Sequence, residues 1–294
     1  MEIGLARTDL ADIFLLKHGT APPNIEPRNS VCAFRGIHFV EENCFVLGFE
    51  KREWLMEKGC AFLTEQGRVH IYSHLRGVPP DTVLSVRFSA SLLHCMRDEL
   101  PAVRFSELES SLGKRNDLRF LRWRLQRLPE ECDDLAVDEW VLDLIVATYV
   151  NSPRAESENF PDARLAWYAE RIEAAREQLV QRFASPHRLR RLARSVGMST
   201  FQFARIFRQL SGFAPHQYLL NARYRAALHM LREGASVTDA CFQSGFSNLS
   251  HFTREFKKRL GHCPSSVKRW PRHFLRRRLA PALVPGLQLR KSQN

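Results

Sequence analysis

The 294-residue sequence lacks the long apolar segments that would place it in or across a membrane. It has no run of 18 or more apolar residues, and such a run is what a transmembrane helix requires. Its first residues, MEIGLARTDLADIFLLKHGT, lack the basic stretch followed by an apolar core that marks a secretory signal peptide. The sequence therefore predicts a soluble cytoplasmic protein with no membrane partner.

Motifs of common enzyme classes are also missing. No Gly-rich phosphate loop, Ser-His-Asp spacing or paired-carboxylate motif stands out, so we predict no catalytic residue, no metal site and no cofactor. The seven cysteines are scattered without a Cys-x-x-Cys pair, and seven is an odd number. Without an export signal they are typical of reduced thiols that fill apolar space.

Acidic residues are scarce in one part of the chain only. Residues 1–185 hold 23 Lys and Arg against 29 Asp and Glu, whereas residues 186–278 hold 19 against 3. The overall net charge of +12 is therefore concentrated in the C-terminal part. Such an asymmetry favours a polyanionic partner, most simply nucleic acid, over a merely solubilising positive surface.

The chain changes character along its length and predicts an α+β protein. Residues 28–90 contain short β-forming runs separated by Gly and Pro, whereas 91–150 follow the helical three-and-four spacing. Two prolines and several turn formers indicate a linker at 151–163. We expect an all-helical domain at 164–275, followed by a basic tail at 276–294.

The helical domain contains an internal repeat. GMSTFQFARIFRQLSGFAP (197–215) matches GFSNLSHFTREFKKRLGHCP (245–264), and the register of the match shifts once within the second turn. Before the shift, Gly197 and Ser199 match Gly245 and Ser247. With one extra residue in the second turn, the later matches pair Phe203 with Phe252, Arg205 with Arg254, Phe207 with Phe256, Gly212 with Gly261 and Pro215 with Pro264.

Each copy has the features of a helix-turn-helix. A short upstream helix precedes each turn, with Leu189, Leu192, Ala193 and Val196 inward in the first copy and Val237, Ala240 and Cys241 inward in the second. A small residue four positions before the glycine allows two helices to approach closely, and glycine accepts the left-handed backbone of a tight turn. The serine that follows, Ser199 or Ser247, is predicted to cap the second helix or to contact a phosphate.

Residues 248–260 are predicted to form a recognition helix. Phe252 and Phe256 face inward, while Arg254 and its basic neighbours project from the other side. A helix of this kind fits the major groove, where arginine can contact guanine with two hydrogen bonds. The two copies are joined by PHQYLLNARYRAALHMLREG (215–234), which predicts a long helix ending at a glycine.

These motifs resemble the DNA-binding domain of the AraC/XylS family of bacterial transcription regulators. The residues that carry the resemblance are LARSVGMS, IFRQLSGFAPHQYL and GFSNLSHFTREFKKRLGHCPS. It implies two helix-turn-helix units joined by a long helix, bound to operator DNA in successive major-groove segments. The implied base-edge readers are Phe201, Gln202, Ala204, Arg205, Leu249, Ser250 and Arg254. The implied phosphate contacts are Ser199, Arg208, Asn248, Lys257 and Lys258.

For residues 1–150 the resemblance implies a cupin-like effector and dimerisation domain. Gly59, Leu63, Gly67 and His70 in EKGCAFLTEQGRVHIY are similar to a turn of such barrels, and the short sheet region predicts an incomplete barrel. His70 and His74 could ligate a metal, although a structural role is favoured. Helix 134–150, with Leu135, Trp140, Leu144 and Tyr149, is either a dimer face or an intradomain core helix.

The resemblance implies a non-enzymatic, cytoplasmic and nucleoid-associated regulator, with activation favoured over repression. Its expected partners are promoter DNA and RNA polymerase, with a small-molecule effector and a homodimer left open. Two alternatives keep the same DNA-binding domain. One is a cupin-type metalloenzyme, and the other is a DNA-alkylation sensor, which needs four clustered cysteines that Cys32, Cys44 and Cys60 do not provide.

Overall fold

The computed structural model of the protein describes residues 1–18, 28–75, 77–99, 111–128, 134–150 and 159–269. The chain divides into two compact units, Met1–Phe160 and Pro161–Asn294. Strands and helices build the first unit, and the second is helical throughout its described part. Among the described helices, none combines the length and apolar character that crossing a bilayer requires.

The first unit contains two antiparallel sheets. Its strands are β1 (Glu2–Arg7), β2 (Ala11–Lys17), β3 (Arg28–Val31), β4 (Gly36–Glu42), β5 (Cys44–Phe49), β6 (Arg52–Glu57), β7 (Ala61–Thr64), β8 (Val69–His74), β9 (Thr82–Phe88) and β10 (Ser111–Gly113). One sheet has the order β1-β2-β9-β4-β7-β10, and the other has the order β3-β8-β5-β6.

Burial of the strands follows their sequence patterns. The strand β9, TVLSVRF, is buried at all but one position, so side chains on both of its faces are covered. Strand β5 alternates instead: Phe45 and Leu47 are fully buried, while Val46 between them is half-buried. One face of β5 therefore contributes to the core of the unit.

The predicted β-rich range of 28–90 is too short at its N-terminal end. Residues 2–17 form the hairpin of β1 and β2, and β2 pairs with β9 along its whole length. The turn is held by Thr8, whose hydroxyl accepts hydrogen bonds from the Leu10 and Ala11 amides. A Thr-Asp turn between two β-forming runs was the overlooked signal, and the hairpin adds two strands to the sheet that contains β9.

The described part of the first unit has three α-helices: α1 (Ala90–Glu99), α2 (Asn116–Leu125) and α3 (Asp134–Ile145), the last continuing as a π-helix over Val146–Val150. Trp140 and Leu144 are fully buried, and the Trp140 indole donates a hydrogen bond to the Leu121 carbonyl at 2.7 Å. Tyr149 packs against Phe88 of β9, with ring centroids 6.3 Å apart. These side chains serve the core of their own unit, so the dimer-face interpretation is wrong for them; the Leu135 side chain lies outside the described residues.

Two further boundaries differ from the predictions. The range 91–150 includes a short strand, β10, which pairs with β7. Most of the predicted linker lies outside the described residues, but its end is ordered by contacts. The Phe160 amide donates to Asn116 and its carbonyl accepts from Arg119, so this residue is anchored to the first unit.

The second unit consists of six α-helices and a final 3-10 turn in its described part. They are α4 (Asp162–Gln181), α5 (Leu189–Ser195), α6 (Thr200–Ser211), α7 (Pro215–Arg232), α8 (Val237–Gln243), α9 (Leu249–Leu260) and the turn Pro264–Arg269. Helix α4 begins at Asp162, slightly before the predicted domain start at 164. The predicted basic tail, 276–294, lies outside the described residues.

Helix α7 is the apolar centre of the second helix pair. Its Tyr224, Ala227, Leu228 and Leu231 form one buried cluster with residues of α8 and α9, among them Ala240, Cys241, Phe252, Phe256 and Leu260. The Tyr224 ring lies 4.8 Å from that of Phe246 and 6.1 Å from that of Phe252. The long helix therefore supplies the core that two short helices could not form by themselves.

The segment between α4 and α5 also contacts the second helix pair. Arg223 of α7 donates to the carbonyls of Phe183 and Ser185, at 2.7 and 3.0 Å, and so holds the chain on either side of Ala184. A Cβ built on Gly245 would lie 2.7 Å from the Ala184 carbonyl oxygen. At φ +87°, Gly245 is thus required both by its left-handed backbone and by this close approach.

The two turn glycines make a matched pair for testing this contact. Gly197 has φ +68° and nothing within 4 Å of an added Cβ. Gly197→Ala should therefore lower the free energy of unfolding by about 1–2 kcal/mol, the cost of a left-handed alanine. Gly245→Ala should lower it by a further ~1–3 kcal/mol because its methyl group meets the Ala184 backbone. Equal losses in urea denaturation would show that the close approach contributes nothing to stability.

Candidate nucleic-acid interface

The two predicted turns have the same hydrogen bonds. In the first, the Met198 amide donates to the Ala193 carbonyl at 2.9 Å; in the second, the Phe246 amide donates to the Cys241 carbonyl at 3.1 Å. Ala193 and Cys241 are both fully buried, so the small residue four positions before each glycine lies where the paired helices meet. The structure thus contains two helix-turn-helix pairs, α5–α6 and α8–α9.

The caps of the second helices correct one sequence match. Ser199 caps α6 as predicted, accepting a hydrogen bond from the Gln202 amide at 3.3 Å. In the second pair the cap is Asn248, whose Oδ1 accepts from the His251 amide at 2.8 Å, and the prediction of Ser247 as the cap is wrong. The extra residue of the second turn lies between Gly245 and its cap, so the caps match in the same register as the phenylalanines that follow them.

The inward faces of α6 and α9 agree with the prediction. Phe203, Phe207, Phe252 and Phe256 are all completely buried. In the upstream helix α5, Leu192, Ala193 and Val196 are also buried, but Leu189 is 41% exposed. Leu189 is the first residue of α5, where the chain enters the helix from outside, so the prediction that it faces inward is wrong.

The predicted base readers fall into two groups. Phe201, Arg205, Ser250 and Arg254 are exposed, and Phe201 is 91% exposed, which excludes a role as a core aromatic in the described second unit. Arg254 keeps 73% of its side chain exposed, with Nε 3.8 Å from the Glu255 carboxylate. Arg205 and Arg254 occupy the same position in the repeat, opposite the buried phenylalanines.

The other three predicted readers are partly engaged within the protein. Gln202 is half-buried, and its Nε2 donates to the Tyr168 hydroxyl of α4 at 3.2 Å. Leu249 is half-buried against the core cluster of the second helix pair. Ala204 is half-buried as well. The sequence pattern did not reveal the contact of Gln202 because Tyr168 lies far upstream, before the first helix pair begins.

The predicted phosphate contacts also differ in their surroundings. Arg208, Lys257 and Lys258 are exposed on the last turns of α6 and α9. Ser199 and Asn248 are exposed too, but their side-chain oxygens already accept the capping hydrogen bonds. Arg259, beside Lys258, turns inward instead: it donates to Asn221 at 3.1 Å and its guanidinium lies 4.8 Å from the centroid of the Tyr224 ring.

The two histidines considered as metal ligands, His70 and His74, have different partners. His70 is fully buried with Nδ1 2.9 Å from the Cys32 sulfur, whereas His74 pairs with the buried Asp81, which also binds His18. Burial lowers the pKa of His70 and raises that of the Cys32 thiol to about 11, so both groups are neutral near pH 7. In the described part of the chain, no three His, Cys, Asp or Glu side chains are arranged to hold a metal ion.

Comparisons with known proteins identify a helix-turn-helix domain in the second unit. Residues 192–269 match the protein family described as helix-turn-helix domain. The transcriptional activator RhaS of Klebsiella pneumoniae (strain 342) is 24% identical over 272 residues, which cover 86% of this chain and 94% of that protein. The virulence regulon transcriptional activator VirF of Yersinia enterocolitica is 29% identical over 98 residues, 31% of this chain and 36% of that protein.

A solved transcriptional regulator with an AraC-type DNA-binding domain, from Chromobacterium violaceum, is 24% identical with a TM-score of 0.33; the match covers 35% of this chain and 94% of that one. The fold, the paired turns and the matched family define a DNA-binding transcription regulator. Its helix-turn-helix domain, residues 192–269, is of the AraC type.

The capping of α9 by Asn248 can be tested by two neighbouring substitutions. Asn248→Ala should lower the free energy of unfolding by about 1 kcal/mol, because the His251 amide loses its acceptor. Ser247→Ala should change it by less than ~0.5 kcal/mol, since Ser247 is exposed and precedes the cap. Thermal denaturation of both variants measures the difference. A larger loss for Ser247→Ala would restore the original cap assignment.

Proposed function

We propose that this regulator activates transcription by binding promoter operators through α6 and α9, each placed in a separate segment of the major groove. The observation that carries the proposal is the repeated arginine, Arg205 in α6 and Arg254 in α9. Each lies exposed on the face opposite two fully buried phenylalanines. A helix held in this way can present one arginine to a guanine, which accepts two hydrogen bonds at its major-groove edge.

The exposed neighbours of these arginines support a division of roles. Phe201 can contact a thymine methyl group, and Ser250 can hydrogen-bond a base edge. Arg208, Lys257 and Lys258 have the charge and exposure to contact phosphates. For Gln202, Ala204 and Leu249 we infer a smaller part in base reading, because each is partly occupied by contacts within the protein.

Activation is supported by the names of RhaS and VirF, both described as transcriptional activators. We infer that the chain acts by binding rather than by catalysis, with RNA polymerase as its partner at the promoter. The first unit, with its two sheets, is proposed to sense a small-molecule effector and to pair two copies of the chain. Because Trp140, Leu144 and Tyr149 are buried, that pairing would use other residues than these.

Two substitutions in α9 test the assignment on the operator selected by pulling down genomic fragments. Arg254→Ala should lose about 1–3 kcal/mol of discrimination at one base pair, with binding to unrelated DNA little changed. Lys257→Ala, further along the same helix, should weaken binding to every sequence alike and lower the slope of log K against log salt by about 1.

Both variants should keep the thermal stability of the parent protein, because both side chains are exposed. Binding to a set of operators with each base pair replaced in turn measures the two effects. If Arg254→Ala weakens all of these sequences equally, Arg254 contacts a phosphate and the proposed orientation of α9 is wrong.

A further inference from the structure

The first short helix of the first pair carries an arginine face that the base-reading proposal does not use. Arg188, at its N-cap, and Arg190, Arg191 and Arg194 are all exposed. Their spacing of three and four places them on one side of α5, opposite the buried Leu192 and Val196. Among the described residues, none of the four has an ion pair or hydrogen bond from its guanidinium.

The surrounding sequence offers these arginines no local acidic partner. Residues 178–232 contain ten arginines and not one aspartate, glutamate or lysine. Arg223, from the same stretch, shows how a structural arginine behaves here, since it turns inward and binds two backbone carbonyls. The arginines of α5 do the opposite: they stay in solvent, where four like charges on one short helix repel one another.

The second helix pair provides an internal comparison. In the register that matches Gly197 with Gly245, the buried Leu192 and Ala193 match the buried Ala240 and Cys241 of α8. The outward positions of α8 corresponding to the four arginines are Ser236, Thr238, Asp239 and Phe242, all exposed and none basic. The same fold is therefore built without this charge in the second pair, so packing does not explain the arginines of α5.

We propose that the arginine face of α5, defined by Arg188, Arg190, Arg191 and Arg194, is the main phosphate-binding surface of the protein. In helix-turn-helix proteins the first helix of the pair crosses the DNA backbone while the second enters the major groove. Guanidinium groups match phosphate oxygens in charge and geometry. The first pair thus anchors the protein to DNA of any sequence, in addition to presenting Arg205 of α6 to a base. This inference rests on the proposed function.

Non-specific DNA provides the test, because phosphate contacts dominate such binding and no operator is needed. The full-length chain and its triple variant Arg190→Gln, Arg191→Gln, Arg194→Gln would be titrated with a mixed-sequence duplex of about 40 bp across a salt series. Glutamine keeps nearly the helix propensity of arginine, so α5 should persist. A charge-matched control, Lys17→Gln, Lys51→Gln, Lys58→Gln, removes three exposed charges from the first unit.

The triple α5 variant should lower the slope of log K against log salt by about 2–3, close to 0.9 for each lost phosphate contact, and the control should leave it unchanged. Each single α5 variant should lower the slope by about 1. The single variants therefore provide the same test if the triple variant folds poorly. An unchanged slope in folded α5 variants, or an equal drop in the control, would overturn the inference. A parent protein that shows no salt-dependent binding would instead contradict the proposed function itself.

Discussion

Contact between Gly245 and the Ala184 backbone fixes the arrangement of the DNA-binding unit. Arg223 holds the segment around Ala184 by binding the carbonyls on both sides of it. No side chain larger than hydrogen fits at Gly245, where a Cβ would approach the Ala184 carbonyl oxygen to 2.7 Å. Because this segment leads directly into α5, one contact joins the entry of the first helix pair to the turn of the second.

The contact is one respect in which the two copies of the repeat differ. Both turns have a positive-φ glycine, but only the glycine of the second turn packs against backbone from another part of the chain. The copies also differ on their outward faces, since the arginines of α5 are replaced by neutral or acidic residues in α8. What they share is the buried face of each recognition helix, with Phe203 and Phe207 matched by Phe252 and Phe256. Shared packing and different surfaces are what two binding sites on one DNA molecule require.

The second unit could be predicted from the sequence more fully than the first. A repeat shows the same spacing of glycine, phenylalanine and arginine twice, and local hydrogen bonds then build each turn. Predictions of single side chains failed where an inserted residue or a contact with a distant helix determined the hydrogen bond. Asn248 caps α9 because the second turn has an extra residue, and Gln202 binds Tyr168 of α4, a helix that precedes both pairs in the chain.

In the first unit, strand pairing over long sequence distances determines the structure. Residues 11–17 form a strand because β2 pairs with β9, which is about 70 residues further along the chain. The alternation of apolar and polar residues in 2–17 is too short to predict that pairing. Similarly, the apolar face of α3 could have served a dimer or a core with the same sequence pattern. Two contacts identify this face as part of the core of the unit: Trp140 donates a hydrogen bond to the Leu121 carbonyl, and Tyr149 packs against Phe88.

Methylation protection of guanine N7 on the selected operator is the most direct test of two recognition helices acting in one rigid unit. Two protected major-groove segments about one helical turn, or ~10 bp, apart on the same face of the duplex are the expected result. Arg205→Ala should remove protection from one segment only, and Arg254→Ala from the other. A single protected segment, lost equally in both variants, would contradict the insertion of both α6 and α9 into the DNA.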